Sequence, residues 1–360
     1  MKLEDLGYNE EFEKFRKENN LGDLEIGRIV SAHKERYIVN TEAGELEAQI
    51  KGNLRFTSIN REDFPAVGDW VALTKYDSRF SIIQRVLPRF SIISRQHVGQ
   101  AGEKQIIATN IDYALLVQAV DRDYNINRLE RYITICNSSG VSPIIVLTKI
   151  DLISENRKLE ILENIKARII NVPVIAISNE SQAGYEKIKA IIEKGKTYCM
   201  LGSSGVGKST LLNNLSGKTI MQTNAISQST NKGRHITSRR QLIILENGGI
   251  LIDNPGMREV GVGDSGSGLE ITFNKILSLS RECKFKNCTH TNEIGCSVLK
   301  AVQNGVIDKA SYDNFLKIER ENSYFEATIA EKRKKDKDFG KRIKNFKKDM
   351  NKKRSGRDTP

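Results

Sequence analysis

The pattern of apolar and polar positions changes along the chain and predicts regions of different architecture. In residues 1–20 the apolar side chains follow a helical spacing that is typical of a short amphipathic helix: Leu3, Leu6, Phe12 and Phe15. Beyond this helix, short strand-like runs continue to about residue 90, where longer apolar runs separated by amphipathic segments begin.

The short strand-like runs predict a small β-barrel. Five of them lie between glycine-containing turns: GRIVSAH, RYIVNT, ELEAQI, DWVALT and SIIQRVL. Such closely spaced strands are typical of an antiparallel barrel, and an oligonucleotide-binding fold (OB-fold) with an aromatic stacking platform is one candidate. A structural β-domain with Trp70 in its core fits the same pattern.

The longer apolar runs predict an α/β domain. YALLVQAV, PIIVLTKIDL, VPVIAIS and TYCML are nearly continuous in apolar residues, and segments of helical spacing separate them. Strands that are apolar on both faces and alternate with helices form a parallel sheet covered on both sides. Past Asn274 the pattern is helical and polar, with a long charged helix from about Ser311.

Most of the excess positive charge lies at the C-terminal end. The chain has 57 Lys and Arg against 45 Asp and Glu residues, and residues 331–360 alone hold 14 basic and 5 acidic side chains. This tail has too few apolar residues to fold by itself. A tail that binds a polyanion, with RNA as the expected partner, is favoured over a solubilising one because neutralised phosphates release counterions.

The cysteine content and the N-terminus indicate the compartment. Five cysteines in 360 residues do not make a disulfide framework, so a reducing compartment is expected. The N-terminus lacks the apolar core of a signal peptide, and charges interrupt the apolar run near residue 150. A cytoplasmic protein without a membrane segment is predicted.

A phosphate-binding loop follows the run TYCML. The stretch GSSGVGKST matches G-x-x-x-x-G-K-[ST] between an apolar strand and a helix, where its glycines let backbone N–H groups turn toward phosphates. Lys208 is expected to bind the β- and γ-phosphates, and Ser209 to bind Mg²⁺. The predicted loop residues are Gly202, Ser203, Ser204, Gly205, Val206, Gly207, Lys208, Ser209 and Thr210.

A guanine-reading element precedes this loop in the chain. The motif TKID comprises Thr148, Lys149, Ile150 and Asp151 at the end of an apolar strand. Guanine offers two N–H donors on one edge, which the Asp151 carboxylate can accept together while the stem of Lys149 lies along the ring. After the next strand, a weaker match to a further base contact remains: Ser178 and Asn179.

The motif DNPG follows the phosphate-binding loop and the hairpin-like run QLIILENGGILI. Asp253 suits an outer-shell Mg²⁺ ligand, and the backbone of Gly256 suits a contact with the γ-phosphate. Because TKID comes before the loop and DNPG after it, the domain has the order of a GTPase cut at one loop and rejoined elsewhere. The sequence therefore predicts a circularly permuted P-loop GTPase domain.

The stretch STNKGRHITS between the loop and DNPG is the predicted switch. Thr237 is expected to complete the Mg²⁺ shell. Met257 stands where many GTPases place the Gln that orients the attacking water, so His235 is the candidate for that role. A surface histidine that binds a partner is the alternative.

A cluster of metal ligands lies near the C-terminal end. The pattern C-x4-C-x-H-x5-C comprises Cys283, Cys288, His290 and Cys296. Three thiolates and one imidazole match a closed tetrahedral site for one structural Zn²⁺. The remaining cysteines, Cys136 and Cys199, lie in apolar segments and are predicted to be core residues.

Together these motifs strongly resemble the ribosome small subunit-dependent GTPase A family, RsgA, also called YjeQ or YloQ. The resemblance extends from LEDLGYNEEF to about Tyr324 and includes PRFSIISRQ. The family's proposed catalytic histidine falls on His235. This sequence departs from the family's pattern at Asn179, in GRHIT where GRHTT is commoner, and in DNPG where DTPG is usual.

The resemblance implies a multidomain fold in which an N-terminal helix (1–20) precedes an OB-fold β-barrel (21–90). A permuted α/β GTPase domain (91–272), a mostly helical zinc-binding domain (273–330) and the basic tail (331–360) follow. It also implies late maturation of the 30S ribosomal subunit, with contacts to 16S rRNA and subunit-stimulated hydrolysis of GTP to GDP. We expect a monomer. The alternative is an RNA-binding assembly factor that uses GTP as a structural ligand with negligible turnover.

Overall fold

The computed structural model describes residues 1–33, 36–52, 61–96, 104–121, 124–217, 241–253 and 266–326. Its strands are β1 (Glu25–His33), β2 (Arg36–Thr41), β3 (Gly44–Ile50), β4 (Trp70–Lys75), β5 (Phe80–Val86), β6 (Ile92–Gln96), β7 (Lys104–Thr109), β8 (Tyr113–Ala119), β9 (Ser142–Thr148), β10 (Val174–Ala176), β11 (Thr197–Leu201), β12 (Gln241–Ile244) and β13 (Ile250–Asp253). Its α-helices are α1 (Glu10–Glu18), α2 (Ile126–Ser138), α3 (Glu155–Arg168), α4 (Tyr185–Ile191), α5 (Lys208–Ser216), α6 (Gly266–Thr272), α7 (Asn274–Ser280), α8 (Ser297–Gln303) and α9 (Lys309–Glu326).

Five strands close the predicted N-terminal barrel. β1 pairs with β2 and β4, β2 with β3, and β4 with β5, all antiparallel, whereas β3 pairs parallel with β5 and so completes the ring. Alternate residues of β2 are buried, because successive side chains of a strand point to opposite faces. The apolar cluster inside the barrel takes buried residues from all five strands: Ile29, Tyr37, Val39, Ala48, Val71, Leu73 and Ile83.

Trp70 is a core residue between the barrel and the N-terminal helix. Its side chain is fully buried, and its ring centroid lies 4.9 Å from that of Tyr8 and 5.7 Å from that of Phe12. Leu3 and Leu6 belong to the same apolar cluster. Trp70 is therefore a core residue, which agrees with the structural interpretation of the barrel. The predicted helix over residues 1–20 is two elements instead, a 3₁₀ helix at Leu3–Leu6 and α1, because Gly7 between them has a left-handed conformation (φ +88°).

The α/β layer shares one sheet with the barrel. Its parallel strands run in the order β10-β9-β8-β11-β13, and β12 pairs antiparallel with β13, which confirms the predicted hairpin. β12 also pairs with β1 of the barrel through Gln241 and Ser31, so hydrogen bonding is continuous from one part to the other. The pattern of apolar positions does not predict the small sheet of β6 and β7 that follows the barrel.

Arg28 of β1 joins three parts of the chain at this junction. Its guanidinium donates hydrogen bonds to the carbonyl oxygens of Leu6 (2.5 Å), Gly68 (3.2 Å) and Asn110 (3.0 Å). Burial lowers the pKa of Arg28 to about 10, so the side chain remains charged at neutral pH. These bonds fix the N-terminal segment, the barrel and the start of the α/β layer relative to one another.

The C-terminal helices pack directly on the α/β layer. Phe273, Val298 and Phe315 belong to the same apolar cluster as Leu129 and Ile133 of α2. The core is therefore continuous across the boundary that the sequence pattern predicts near residue 273. Within the described part of the chain, no helix has both the length and the apolar character needed to cross a membrane.

Candidate functional site

Parallel strands bring the predicted motifs to one edge of the sheet. β8, β9, β10, β11 and β13 run in the same direction, so their carboxyl ends lie together. The TKID motif begins in the last residue of β9, Ser178 follows β10, the phosphate-binding loop follows β11, and Asp253 ends β13. This is the edge at which open α/β sheets bind their ligands.

The phosphate-binding loop requires glycine at two close approaches. A Cβ atom on Gly202 would lie 2.2 Å from the carbonyl oxygen of Val117 in β8. A Cβ atom on Gly207, whose φ is +94°, would lie 2.4 Å from Nδ2 of Asn179. The backbone can therefore pass close to β8 and to the loop after β10 only because these side chains are absent.

Lys208 begins α5 and folds back over the loop. Its Nζ atom donates a hydrogen bond of 2.7 Å to the carbonyl oxygen of Gly202 and a second bond to that of Ser203. Backbone N–H groups at the start of α5 carry partial positive charge, to which the ammonium adds a full charge. The loop is thus a cationic site at a helix N-terminus, which suits a phosphate group.

The TKID motif contacts the phosphate-binding loop directly. Thr148 is fully buried, and its hydroxyl donates a hydrogen bond of 2.6 Å to the carbonyl oxygen of Val206. The next residues form a short 3₁₀ turn, Ile150–Leu152, in which Asp151 is exposed at the edge of the sheet. Asp151 is therefore accessible to a base, while the hydrogen bond of Thr148 fixes the start of the motif to the phosphate-binding loop.

Lys149 forms an ion pair that the sequence pattern did not predict. Its Nζ atom lies 2.8 Å from Oδ2 of Asp121, just beyond the end of β8, and both side chains are about three-quarters buried. Lys149 has a φ of +62°, a left-handed conformation that is unusual for a residue with a side chain. The ion pair fixes the Lys149 side chain to Asp121, beyond the carboxyl end of β8.

Ser178 and Asn179 have structural contacts within the loop after β10. The buried Ser178 hydroxyl accepts hydrogen bonds from the backbone N–H groups of Glu180 (3.2 Å) and Ser181 (3.1 Å). Nδ2 of Asn179 donates a hydrogen bond of 3.1 Å to the carbonyl oxygen of Gly207. The loop is thereby fixed to the first residue before α5.

The remaining predicted nucleotide contacts lie outside the described residues. They are the side chain of Asp253, whose backbone ends β13, and all of His235, Thr237 and Gly256.

The predicted metal ligands meet at one point. The ligand atoms of Cys283, Cys288, His290 and Cys296 all lie within 4.8 Å of one another. Nδ1 of His290 is 3.6 Å from Sγ of Cys283 and 3.5 Å from Sγ of Cys296, and these sulfurs are 3.8 Å apart. A tetrahedron with Zn–S bonds of about 2.3 Å and a Zn–N bond of about 2.0 Å has edges of about 3.5 to 3.8 Å. The ligand set therefore fits zinc.

Glu293 organises the loop that carries His290. Its carboxylate accepts hydrogen bonds from the backbone N–H groups of Thr289 (2.8 Å), Thr291 (3.1 Å) and Asn292 (3.2 Å), and from the Thr289 hydroxyl. The Thr289 hydroxyl first, and then the N–H groups of Thr289 and Asn292, lower the pKa of Glu293 to about 2. Burial lowers the pKa of His290, which favours the neutral imidazole that a metal requires.

The other two cysteines are core residues, as predicted. Cys136 and Cys199 are fully buried, and burial raises the pKa of each thiol. A buried thiol of raised pKa is unreactive.

Sequence reasoning missed two residues of these sites, Asp121 and Glu293. Asp121 could have been found, because it stands at a strand end, where polar residues signal a site. Glu293 could not, because its three backbone donors leave no pattern in the sequence.

Comparisons with known proteins identify relatives that match most of the chain. A family model described as RsgA GTPase matches residues 86–263. A Listeria innocua protein named Small ribosomal subunit biogenesis GTPase RsgA 1 is 38% identical over 325 residues, 90% of each chain. A Lactiplantibacillus plantarum protein named Small ribosomal subunit biogenesis GTPase RsgA 2 is 42% identical over 302 residues, 83% of this chain and 84% of that one.

Solved structures show the same fold. The crystal structure of YjeQ from Thermotoga maritima is 26% identical, with a TM-score of 0.61 over 82% of this chain and 96% of that one. YloQ, described as a circularly permuted GTPase, is 24% identical and also has a TM-score of 0.61, over 85% of this chain and 97% of that one.

Proposed function

The chain belongs to the RsgA GTPase family, and from this premise we propose that it binds GTP at the edge of the α/β sheet and hydrolyses it to GDP and phosphate during biogenesis of the small ribosomal subunit. The observation that carries the proposal is the hydrogen bond between Thr148 and Val206, which joins a base-reading motif to a phosphate-binding loop. The order of these motifs, with TKID before the phosphate-binding loop, matches a permuted GTPase.

Each part of the site has a proposed role. Residues 202–210 bind the phosphates, with Lys208 as the cation and Ser209 as a Mg²⁺ ligand. Asp151 accepts the two N–H donors of guanine, and Lys149 lies along the ring. Asp253, Gly256 and Thr237 complete the Mg²⁺ and γ-phosphate contacts, and His235 positions the attacking water.

We further propose that the four-ligand cluster holds one structural Zn²⁺. The inter-ligand distances given above support it, and so does the burial of Cys296 and His290. A closed set of four protein ligands leaves no position for a substrate, so zinc would stabilise the C-terminal helices and take no part in hydrolysis.

The partner proposed for this GTPase is the 30S subunit, through 16S rRNA, and the protein would act as a monomer in the cytoplasm. The names of the relatives support a role in small-subunit biogenesis. The basic tail, residues 331–360, would add electrostatic attraction to RNA phosphates.

The test is GTP turnover with and without purified 30S subunits. We expect the subunits to increase turnover, and we expect His235→Ala to lose this increase while it retains nucleotide binding. Tight GTP binding without turnover in either condition would instead support the alternative, an RNA-binding factor with GTP as a structural ligand.

A further inference from the structure

A chain of hydrogen bonds links the loop after β10 to the helix that follows the phosphate-binding loop. The Tyr185 hydroxyl donates a bond of 2.7 Å to Oδ1 of Asn179, and Nδ2 of Asn214 donates a bond of 2.8 Å to the Tyr185 hydroxyl. Asn179 continues the chain through Nδ2 to the carbonyl oxygen of Gly207. Each donor in this series finds an acceptor.

The series begins and ends on the same face of α5. Gly207 caps the N-terminus of α5 and Asn214 lies seven residues later, which is about two helical turns. The loop residue Asn179 is therefore connected to α5 directly at Gly207 and through Tyr185 at Asn214. Two connections prevent rotation of the loop about either one.

Tyr185 is suited to the central position. Its side chain is 2% exposed, and it is the first residue of α4. The preceding residue, Gly184, lies against β10, where a Cβ atom on Gly184 would be 2.2 Å from the Ala176 carbonyl oxygen. Burial raises the pKa of Tyr185, so its hydroxyl keeps the proton that it donates to Asn179.

We propose that Tyr185, acting through Asn179 and Asn214, is a positioning residue that holds the base-contacting loop on the phosphate-binding loop, so that base and phosphate are bound by one rigid unit. This inference rests on the proposed function, because it assigns the loop after β10 to the guanine base. The Asn179 side chain supplies both ends of the link: an acceptor for Tyr185 and a donor for Gly207. A rigid loop lowers the dissociation rate of the nucleotide without changing its association rate.

The test is stopped-flow kinetics of mant-GDP with the full chain and its Tyr185→Phe variant. Removing the hydroxyl leaves Oδ1 of Asn179 without its donor, and we expect the dissociation rate to rise roughly tenfold with an unchanged association rate. Asn214→Ala, at a partly exposed position, should give a smaller rise in the same direction. In the double variant Tyr185→Phe with Asn179→Ala, the effects should be less than additive.

Tyr198→Phe is the matched control. Tyr198 is fully buried in the same apolar cluster as Tyr185, but its hydroxyl donates to the carbonyl oxygen of Ile191 (2.7 Å) and accepts from the N–H of Glu193 (3.0 Å), at the opposite end of β11 from the phosphate-binding loop. The Tyr198→Phe substitution should lower the unfolding temperature without changing the dissociation rate of the nucleotide. If Tyr185→Phe and Asn214→Ala release mant-GDP at the wild-type rate, the inference is overturned and the proposed function stands. If the wild-type chain binds no guanine nucleotide, the proposed function fails as well.

Discussion

The hydroxyl of Thr148 and the carbonyl oxygen of Val206 form a 2.6 Å hydrogen bond between two motifs that are 58 residues apart in the chain. A threonine hydroxyl can donate as well as accept a hydrogen bond, so this short side chain is sufficient to connect the two motifs. This bond fixes the TKID motif to the loop that is proposed to bind the phosphates.

Replacing Thr148 by Val should weaken mant-GDP binding about tenfold. Valine keeps the shape of the side chain but leaves the Val206 carbonyl without its donor, which costs about 1–3 kcal/mol for a buried group. Thr148→Ser retains the hydroxyl and should bind with an affinity close to that of the wild type. Equal affinities for the Val and Ser variants in fluorescence titrations would show that the bond has no role in binding.

Replacing Lys208 by Ala should abolish detectable binding of mant-GTP. The carbonyl oxygens of Gly202 and Ser203 hold the Lys208 ammonium over the loop. A neutral side chain cannot replace the attraction of this charge for the phosphates. Lys166→Ala, at an exposed position of α3, is the matched control and should bind normally. Wild-type affinity in Lys208→Ala would reject the assignment of the loop.

Asp151→Asn should change the base preference from guanine to xanthine. Xanthine carries a carbonyl in place of the exocyclic amine of guanine, and an Asn side chain can donate to it, whereas a carboxylate only accepts. The measurement is competition of GDP and XDP against mant-GDP or mant-XDP. If the variant retains the wild-type preference for GDP, Asp151 does not read the base. Asp151 is exposed, so the substitution should not affect folding.

Metal analysis should find one Zn²⁺ per chain, and Cys288→Ser should lose it. The thiolates and the imidazole close a tetrahedral site, so removal of one ligand weakens binding strongly. We expect a chelator to lower the unfolding temperature of the wild type, and Asn287→Ser, beside the ligand but exposed, to retain the metal. A zinc-free protein that unfolds at the same temperature as the zinc-loaded one would contradict a structural role.

Glu130→Ala should destabilise the protein by about 3 kcal/mol in urea unfolding. Glu130 of α2 is buried, and it accepts hydrogen bonds from Arg168 (2.8 Å), Ser311 (3.0 Å) and Asn314 (2.7 Å), which connect α2 and α3 to α9. Removing the carboxylate leaves Arg168, whose side chain is only 9% exposed, without this counter-ion. Glu163→Ala on the exposed face of α3 should have almost no effect. Similar unfolding free energies for the two variants would exclude this connection.

Local patterns were sufficient to predict most elements of the fold, although not the small sheet of β6 and β7. The strands of the barrel, the apolar strands of the parallel sheet and the helices between them follow from alternation and helical periodicity, which depend only on neighbours in the chain. The phosphate-binding loop and the cysteine cluster were predictable for a similar reason, since their ligand atoms come from short stretches of sequence. The permutation was predictable as well, because the order of TKID and the loop is a property of the linear chain.

Contacts between distant residues could not be predicted in this way. The bond from Thr148 to Val206, the pair of Asp121 with Lys149 and the series from Asn179 through Tyr185 to Asn214 join segments that meet only because parallel strands end at one edge of the sheet. The same holds for Arg28, whose three acceptors come from separate parts of the chain.

The sequence by itself therefore determined which chemical groups this protein carries within short stretches: a glycine-rich loop with Lys208, the TKID motif, and a cluster of three cysteines and one histidine. Only the tertiary structure decided how these groups are held, because burial and hydrogen bonding between distant segments depend on the packing of the whole sheet. It also decided that the barrel and the α/β layer share one sheet through Ser31 and Gln241, and that the C-terminal helices share the core of the α/β layer. Periodicity describes one element at a time, whereas these contacts exist only between elements.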